Sequence, residues 1–338
     1  MKKETVSFKE TRNFSKKFLN FIENESLSYY PKEENILETL KGLNFSKDSR
    51  EVLFKELDQQ YENFETSSLV KKNIKSVLSD NTFTVTTGHQ LNIFTGPMYV
   101  IYKIVSAIKL SEILSKKYPK YNFVPIYWMA SEDHDFEEIK SFHSNGKTYT
   151  WDIKSKGPVG NLNTETLKNI FNENISIPDF FKDAYSSSSS LSEAVRKYMN
   201  YLFGEYGLIT IDPNSKNLKK NISDIIVDDI VNNTIEKIEK SSDKVSDVYV
   251  RKINFFYQES DLRERIDKTD KYNVLSTSLS FTEQEIKDKI KSSPELFSPN
   301  VITRCLFQQR ILPNVCYLGG PSEIVYWESF KKFFDNYN

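Results

Sequence analysis

An α/β fold built on a parallel sheet is expected from this sequence, and three observations lead there. Phe83-Thr-Val-Thr-Thr87 is rich in β-branched residues and stops at Gly88, as a strand does. Met98 to about Lys117 carries apolar residues at helical spacing. Asn122–Ala130 is almost wholly apolar, the composition of a strand covered on both faces. A strand, a helix and an apolar strand in that order make a βαβ unit with parallel strands.

The elements follow in order. Residues 1–78 read as a charged, helical N-terminal segment. Ser46 precedes Lys-Asp-Ser-Arg-Glu-Val-Leu-Phe-Lys-Glu-Leu57, a helix-start residue followed by apolar positions three and four apart. Pro31 and Gly42 stand alone. Residues 79–155 hold the βαβ unit. In its helix Met98, Ile101, Tyr102, Val105 and Ile108 mark one face, with Lys103 away from it, and Pro97 suits the first turn. Tyr118-Pro119 ends this helix.

Residues 156–300 form the rest of the core with inserted helices and short strands. Ser186–Ser190 is a low-complexity loop, and Ser190 with Glu193 makes a capping box for a helix through Phe203. Gly207–Asp212 reads as a third strand. A long amphipathic helix follows, with Leu218, Ile222, Ile225, Ile226, Ile230, Ile235 and Ile238 on one side. Asn254–Tyr257, Arg263–Ile266 and Tyr272–Leu275 read as short strands. Residues 301–338 bring the last core strand, Asn314–Leu318, a Gly319-Gly320-Pro321 turn and a helix from Ser322.

Composition excludes several functions. Lys and Arg number 46 against 47 Asp and Glu, so no global field draws nucleic acid or an anionic membrane. Hydrophobic residues at 38% and aromatics at 14% exclude a disordered chain. The longest strongly apolar run, Phe123–Ala130, falls far short of the ~20 residues of a membrane span. Met1-Lys2-Lys3 is followed by no apolar segment, so no signal peptide is read. Cys305 and Cys316 make no disulfide framework and read as buried apolar residues in a reducing cytosol. A soluble cytoplasmic protein is expected.

Glycine occurs only 10 times and histidine 3 times, so their places are informative. Gly88 and Gly96 flank the loop after the first strand; Gly319 and Gly320 follow the last. Ligands of open parallel sheets bind beyond the carboxyl ends of strands, and helix starts present free N–H groups to anions. Segment 88–97 therefore has the form of a carboxylate- or phosphate-binding turn, without being a GxGxxG or P-loop motif. A tight turn with no ligand is the alternative.

The apolar strand runs into Ser131-Glu-Asp-His-Asp-Phe-Glu-Glu138. Asp133 or Asp135 could orient His134 as a general base. The same residues with His89 could hold a metal, although no HExxH spacing is present. A solvated acidic helix start is the plain reading. His143 reads as a surface residue in a hairpin and Trp128 as core. Arg304, a lone charge in an apolar stretch, must find a carboxylate from the protein or a ligand. Glu323 at the start of the last helix complements its dipole, with Tyr326 and Trp327 on the same helix.

Four blocks together resemble one family. They are Thr86-Thr-Gly-His-Gln-Leu-Asn-Ile-Phe-Thr-Gly-Pro97, Pro125–Glu138 with its Glu132-Asp-His-Asp-Phe-Glu-Glu138 run, Leu296–Arg304 with Ser298-Pro-Asn-Val301, and Ile311–Trp327 with Gly319-Gly320 and Glu323. The resemblance is to BshC, the cysteine ligase family of bacillithiol biosynthesis, and spans essentially the whole chain. It implies a Rossmann-like core with inserted connecting segments. It implies amide formation between the carboxyl of cysteine and the amine of glucosaminyl-malate, with ATP and Mg2+ as the expected activating pair. Gly88, His89, Gln90, Asn92, Thr95 and Gly96 would cradle phosphates or malate carboxylates. Arg304 would pair with a malate carboxylate, and Glu132 or Asp135 would clamp the ammonium of cysteine or a magnesium ion. Asn314, Gly319, Gly320 and Glu323 complete the substrate-binding set, and His134 with Asp133 and Asp135 forms the catalytic group. Position 89 is His where many members have Gln. The resemblance also implies a homodimer resting on a coiled coil beyond Asn338, where this chain ends. Two readings compete: a metal-dependent hydrolase of a sugar-derived amide, with His89, Asp133, His134 and Asp135 as ligands, and a non-catalytic remnant.

Overall fold

Serines start the helices of the N-terminal part because their side chains accept hydrogen bonds from otherwise unpaired helix N–H groups. The computed structural model describes residues 4–23, 36–171 and 176–337, so Met1–Lys3 and Pro31 lie outside it. Helices α1 (Phe8–Thr11), α2 (Lys16–Glu23), α3 (Ile36–Gly42), α4 (Lys47–Tyr61) and α5 (Ser68–Ser76) come first. Ser46 Oγ accepts from Ser49 N–H at 3.1 Å at the head of α4, as its sequence position predicts. Ser67 does the same for α5.

The βαβ unit consists of β1 (Thr82–His89), α6 (Tyr99–Lys117) and β2 (Asn122–Met129). Strand β1 carries three residues more than the sequence suggested, Thr82 before it and Gly88 and His89 after it, so the loop begins at Gln90. Helix α7 (Phe136–Ile139) follows, then the hairpin β3 (Ser141–Ser144) and β4 (Lys147–Thr150). Its turn residues, Asn145 and Gly146, both have positive φ, as a tight hairpin requires. Helices α8 (Lys168–Phe171), α9 (Asp179–Ser186) and α10 (Leu191–Phe203) lead to β5 (Ile209–Ile211).

The long helix expected after β5 is instead three: α11 (Lys216–Lys220), α12 (Ser223–Ile230) and α13 (Thr234–Ser241). Asn233 breaks the last pair with φ of 55°, a left-handed conformation that asparagine tolerates. Its side-chain amide reaches Lys252 O at 3.1 Å, which fixes the bend. Then come β6 (Phe255–Glu259), β7 (Leu262–Lys268), β8 (Tyr272–Val274), β9 (Ser280–Phe281), α14 (Glu283–Ser292) and β10 (Phe297–Pro299). The chain closes with α15 (Thr303–Ile311), β11 (Asn314–Tyr317), α16 (Pro321–Ser329) and α17 (Lys331–Asn336).

The main sheet has strand order β11-β1-β2-β5 and every pair is parallel. The α/β expectation therefore holds. Strand β2 is buried on both faces. Val124, Ile126 and Trp128 enter one core cluster, while Tyr127 and Met129 enter another. A second, antiparallel sheet of order β10-β6-β7-β8-β9 collects the short strands.

Two local expectations are corrected. The face of α6 that packs inward holds Val100, Lys103, Ile104, Ala107, Ile108, Ser111 and Leu114. Met98, Tyr102 and Val105 are exposed. The smaller residues sustain their period along the helix and lie against β1 and β2, whereas the stripe of large residues stops after two turns. Pro97 lies just ahead of the helix, whose cap is Met98. The capping box at α10 is half formed: Ser190 Oγ accepts from Glu193 N–H at 3.3 Å, but the Glu193 carboxylate accepts from Ser189, one residue early.

Candidate active site

Strand order places the site. From β1 the chain passes through α6 to β2 and on to β5, while β11 lies on the opposite flank of β1. Such a reversal opens a crevice beyond the strand ends, between β1 and β11. Gly88 and His89 stand on one side of it. Gly319 and Gly320 stand on the other, at the start of α16.

Inside the crevice two cations share one carboxylate. Lys103 Nζ donates to Gly88 O at 2.7 Å and pairs with Glu323. Glu323 also accepts from the Tyr317 hydroxyl at 2.6 Å and from Gly320 N–H at 2.7 Å. Arg304, the second residue of α15, lies 3.5 Å from the same carboxylate and donates to Tyr326 Oη at 2.9 Å. Burial alone would raise the Glu323 pKa, but Lys103 and Arg304 hold it below the ordinary carboxylate value. Burial lowers Lys103 against the pull of Glu323. Gly88 permits a close approach here: a Cβ would meet Trp128 O at a tight 3.2 Å and Tyr317 Oη at 3.4 Å.

His89 lines this crevice. Its Nδ1 faces Gln90 O at 3.2 Å, and a carbonyl only accepts, so that nitrogen carries the proton. Its Nε2 then accepts from Tyr99 Oη at 2.7 Å. Burial, with Lys103 nearby, lowers the His89 pKa, so the ring is neutral at pH 7.

The loop after β1 is strained. Phe94, Thr95 and Gly96 have φ of 52°, 70° and 68° in succession. A β-branched residue in that region is unusual. A Cβ at Gly96 would lie 2.5 Å from Asn92 Cβ, so only glycine fits. Asn92 Nδ2 donates to Glu138 O at 3.2 Å, and Asn92 Oδ1 is buried without a hydrogen-bond donor.

The acidic segment after β2 forms a second group. Gln90 Nε2 bridges Asp133 Oδ2 at 2.9 Å and Glu138 Oε2 at 2.6 Å. Asp133 Oδ1 accepts from the backbone N–H of His134 at 2.7 Å. Burial would raise the Asp133 pKa, but hydrogen bonds from His134 and Gln90 and the Arg263 cation hold it well below the usual range. Its carboxylate does not hold the His134 ring: the distance to Nδ1 is 3.6 Å. That nitrogen faces Arg263 Nη1 at 2.8 Å. Guanidinium only donates, so Nδ1 accepts and the proton sits on Nε2. Arg263 is fixed in turn by Ser298 Oγ and Pro299 O, both at 2.9 Å, and packs on Phe256.

The remaining expected residues scatter. Asp135 is exposed, and among the described residues its carboxylate has no partner. Glu132 is buried in an ion pair with Lys219 from α11. Asn314 is buried at the start of β11, between the Thr84 and Thr86 hydroxyls at 3.2 and 2.7 Å, so it ties the sheet rather than lining the crevice. His143 is exposed on the hairpin and bonded to Thr148. Burial pushes the Cys305 thiol up to about 12 and Cys316 to about 11, so neither is a thiolate nucleophile at pH 7. Among the described residues no group of three His, Cys, Asp or Glu converges to hold a metal ion, and no helix is long and apolar enough to cross a membrane.

Sequence reasoning missed Lys103, Arg263 and Lys219. Lys219 sits in the polar run Lys216-Asn-Leu-Lys-Lys-Asn221, where nothing local singles it out. Lys103 could have been found by following the Val100, Ile104, Ala107 period. Arg263 alternates with Arg265 on a strand, and nothing local says which faces inward.

Comparison with known proteins agrees with this architecture. Residues 1–338 match the family described as Bacillithiol biosynthesis BshC, N-terminal Rossmann-like domain. The chain is 43% identical to a protein of Flavobacterium psychrophilum, over 99% of this chain and 68% of that one. It is 41% identical to one of Flavobacterium johnsoniae, over 100% and 68%, and 39% identical to one of Cytophaga hutchinsonii, over 99% and 67%. All three carry the name "Putative cysteine ligase BshC". A Rossmann-like parallel sheet, glycines at its switch point and relatives matched along their shared length give one conclusion: the chain belongs to the BshC family of cysteine ligases of bacillithiol biosynthesis.

Proposed function

We propose that this chain joins the carboxyl of cysteine to the amine of glucosaminyl-malate by an amide bond. The observation that carries the reading is the crevice between β1 and β11, where Lys103 and Arg304 share the single carboxylate of Glu323. The excess positive charge, behind a strained glycine turn, suits a carboxylate or a phosphoryl group. Bound there, ATP with Mg2+ would supply an activated carboxyl, and Lys103 and Arg304 are the residues that would face its phosphates.

The roles of the acidic segment follow from its hydrogen bonds. His134 presents N–H at Nε2, because Arg263 occupies the lone pair of Nδ1. It therefore serves as a donor to an oxygen of the reacting carboxyl, rather than as the base. Asp135, exposed beside it and without a partner among the described residues, takes the proton that the attacking amine must lose. The hydrolase reading loses support, since His89 is engaged with Tyr99 and its four intended ligands do not converge.

The test is ligation itself: purified chain, cysteine, glucosaminyl-malate and ATP, with bacillithiol followed by mass. Product formation is expected; none at any chain concentration would remove the reading. His134→Gln, which keeps a donor, is expected to stay within about tenfold of the parent. His134→Ala should lose ~10²-fold, the usual cost of one oxyanion donor. Equal losses in both would restore the base role.

A further inference from the structure

The two halves of the site meet at one tyrosine. Tyr99 opens α6 and is half exposed. Its hydroxyl lies 2.7 Å from His89 Nε2 in a hydrogen bond open to solvent, with the two ring centroids 5.2 Å apart. Burial, then Glu323 of the crevice and Glu138 of the acidic segment, raise its pKa. A phenol that feels both carboxylates stands between them, and it keeps its proton at pH 7.

The proton on His89 decides which way that hydroxyl points. Gln90 O faces Nδ1 at 3.2 Å and only accepts, so Nδ1 carries the ring proton. In the neutral ring Nε2 is then a lone pair. Tyr99 gives it the only hydrogen the phenol has. The phenol oxygen is left as an acceptor, and among the described residues it takes no other hydrogen bond.

Its surroundings are of the opposite kind. Lys103 and Arg304 offer hydrogens. Glu323 has its oxygens occupied by them, by the Tyr317 hydroxyl and by Gly320 N–H. Tyr99 Oη is thus a neutral acceptor beside two cations. A carboxylate or phosphoryl oxygen would bring lone pairs to a lone pair. A neutral amine suits it: one N–H can point at Tyr99 Oη while the nitrogen lone pair stays free to attack. As the new C–N bond forms, that nitrogen gains positive charge and its N–H becomes a stronger donor. The contact therefore tightens in the transition state, which is what accelerates a reaction.

We propose that Tyr99 is a catalytic residue that accepts the N–H the attacking amine retains, and that His89 is a positioning residue that fixes the direction of the Tyr99 hydroxyl. The amine's other proton is the one lost to Asp135, so the amide keeps a single N–H. The proposal deepens the ligase reading and rests on it.

Steady-state ligation by the full chain tests it. Tyr99→Phe keeps the ring and removes the oxygen. Its kcat is expected to fall about tenfold, the worth of one hydrogen bond, with KM for ATP within about twofold of the parent. His89→Leu should fall as far. His89→Gln offers Tyr99 an amide oxygen in place of Nε2 and should recover about fivefold over His89→Leu. Tyr99→Phe at the parental rate, or equal rates in His89→Gln and His89→Leu, would overturn the proposal and leave the ligase reading standing. Nitrogen-15 spectra of the histidine-labelled chain at pH 7 read the pair without turnover, the His89 signals being those lost in His89→Gln. A neutral ring protonated at Nδ1 is expected; a proton on Nε2 overturns the proposal whatever the rates. A parent chain that forms no product overturns the ligase reading, and the amine contact with it.

Discussion

Lys103 shows how a single side chain ties distant parts of the chain into one site. Its ammonium joins a strand carbonyl, Gly88 O, to a carboxylate 220 residues away. Lys103→Met keeps the stem and removes the charge. It leaves Arg304 as the one cation paired with Glu323, cancelling the excess positive charge. Its kcat/KM for ligation is expected to fall ~10²-fold, in steady-state assays. Asp229 makes a prediction of a different kind. It is fully buried in α12, accepts from Asn254 N–H and Nδ2, and has its pKa raised by burial to about 7. The folded state thus keeps a proton that the unfolded chain releases near pH 4. That stabilising difference is fully present below pH ~4 and is lost as pH rises through about 7. Urea midpoints should carry a component that falls over this range and is removed in Asp229→Asn. A profile unchanged by the substitution would show that Asp229 is ionised throughout.

Among the elements, α6 is the one whose reading changed most. Met98, Tyr102 and Val105 looked like a core stripe because they are large; the packed face is made of smaller residues and admits Lys103. A βα unit accepts a lysine inward only when a carboxylate meets it, and Glu323 comes from the last part of the chain. No window of local sequence contains that partner. Tyr102→Ser should therefore change stability by less than about 0.5 kcal/mol. Ile104→Ala, fully buried, should cost ~2–5 kcal/mol in denaturant titrations. Elements with strong local signals were legible: β1 and β2 from β-branched and apolar runs, α4 from its serine cap, α16 from Gly319-Gly320-Pro321. The split of α11, α12 and α13 was not, because an asparagine accepts both helical and left-handed geometry. The same limit applied to His134. Its position after β2 could be read from sequence, but its partner Arg263 stands on a strand of the other sheet.

At the scale of the molecule, the binding end was readable and its detailed wiring was not. In the sequence alone the glycine pairs mark the carboxyl ends of β1 and β11. Nothing in sequence said that β11 pairs with β1 rather than with β5, and that pairing creates the crevice. The pairing is also mechanical. Asn314 sits between Thr84 and Thr86, and Thr87 Oγ1 donates to Leu318 O at 2.8 Å. A version ending at Leu312 would leave β1 as an open edge, with Lys103 buried and unpaired. It is expected to aggregate or to bind a dye for exposed apolar surface, whereas the full chain stays monodisperse by light scattering.

The same pairing sets a timetable for synthesis. β1 leaves the ribosome well before its neighbour β11. At ~5–20 residues per second, the 228 residues between Thr86 and Asn314 take roughly 11–46 s. For that interval the nascent chain carries a paired β2 on one flank of β1 and a bare flank on the other. The binding crevice therefore exists only once β11 has emerged, and a chain stalled before that strand has a sheet but no site.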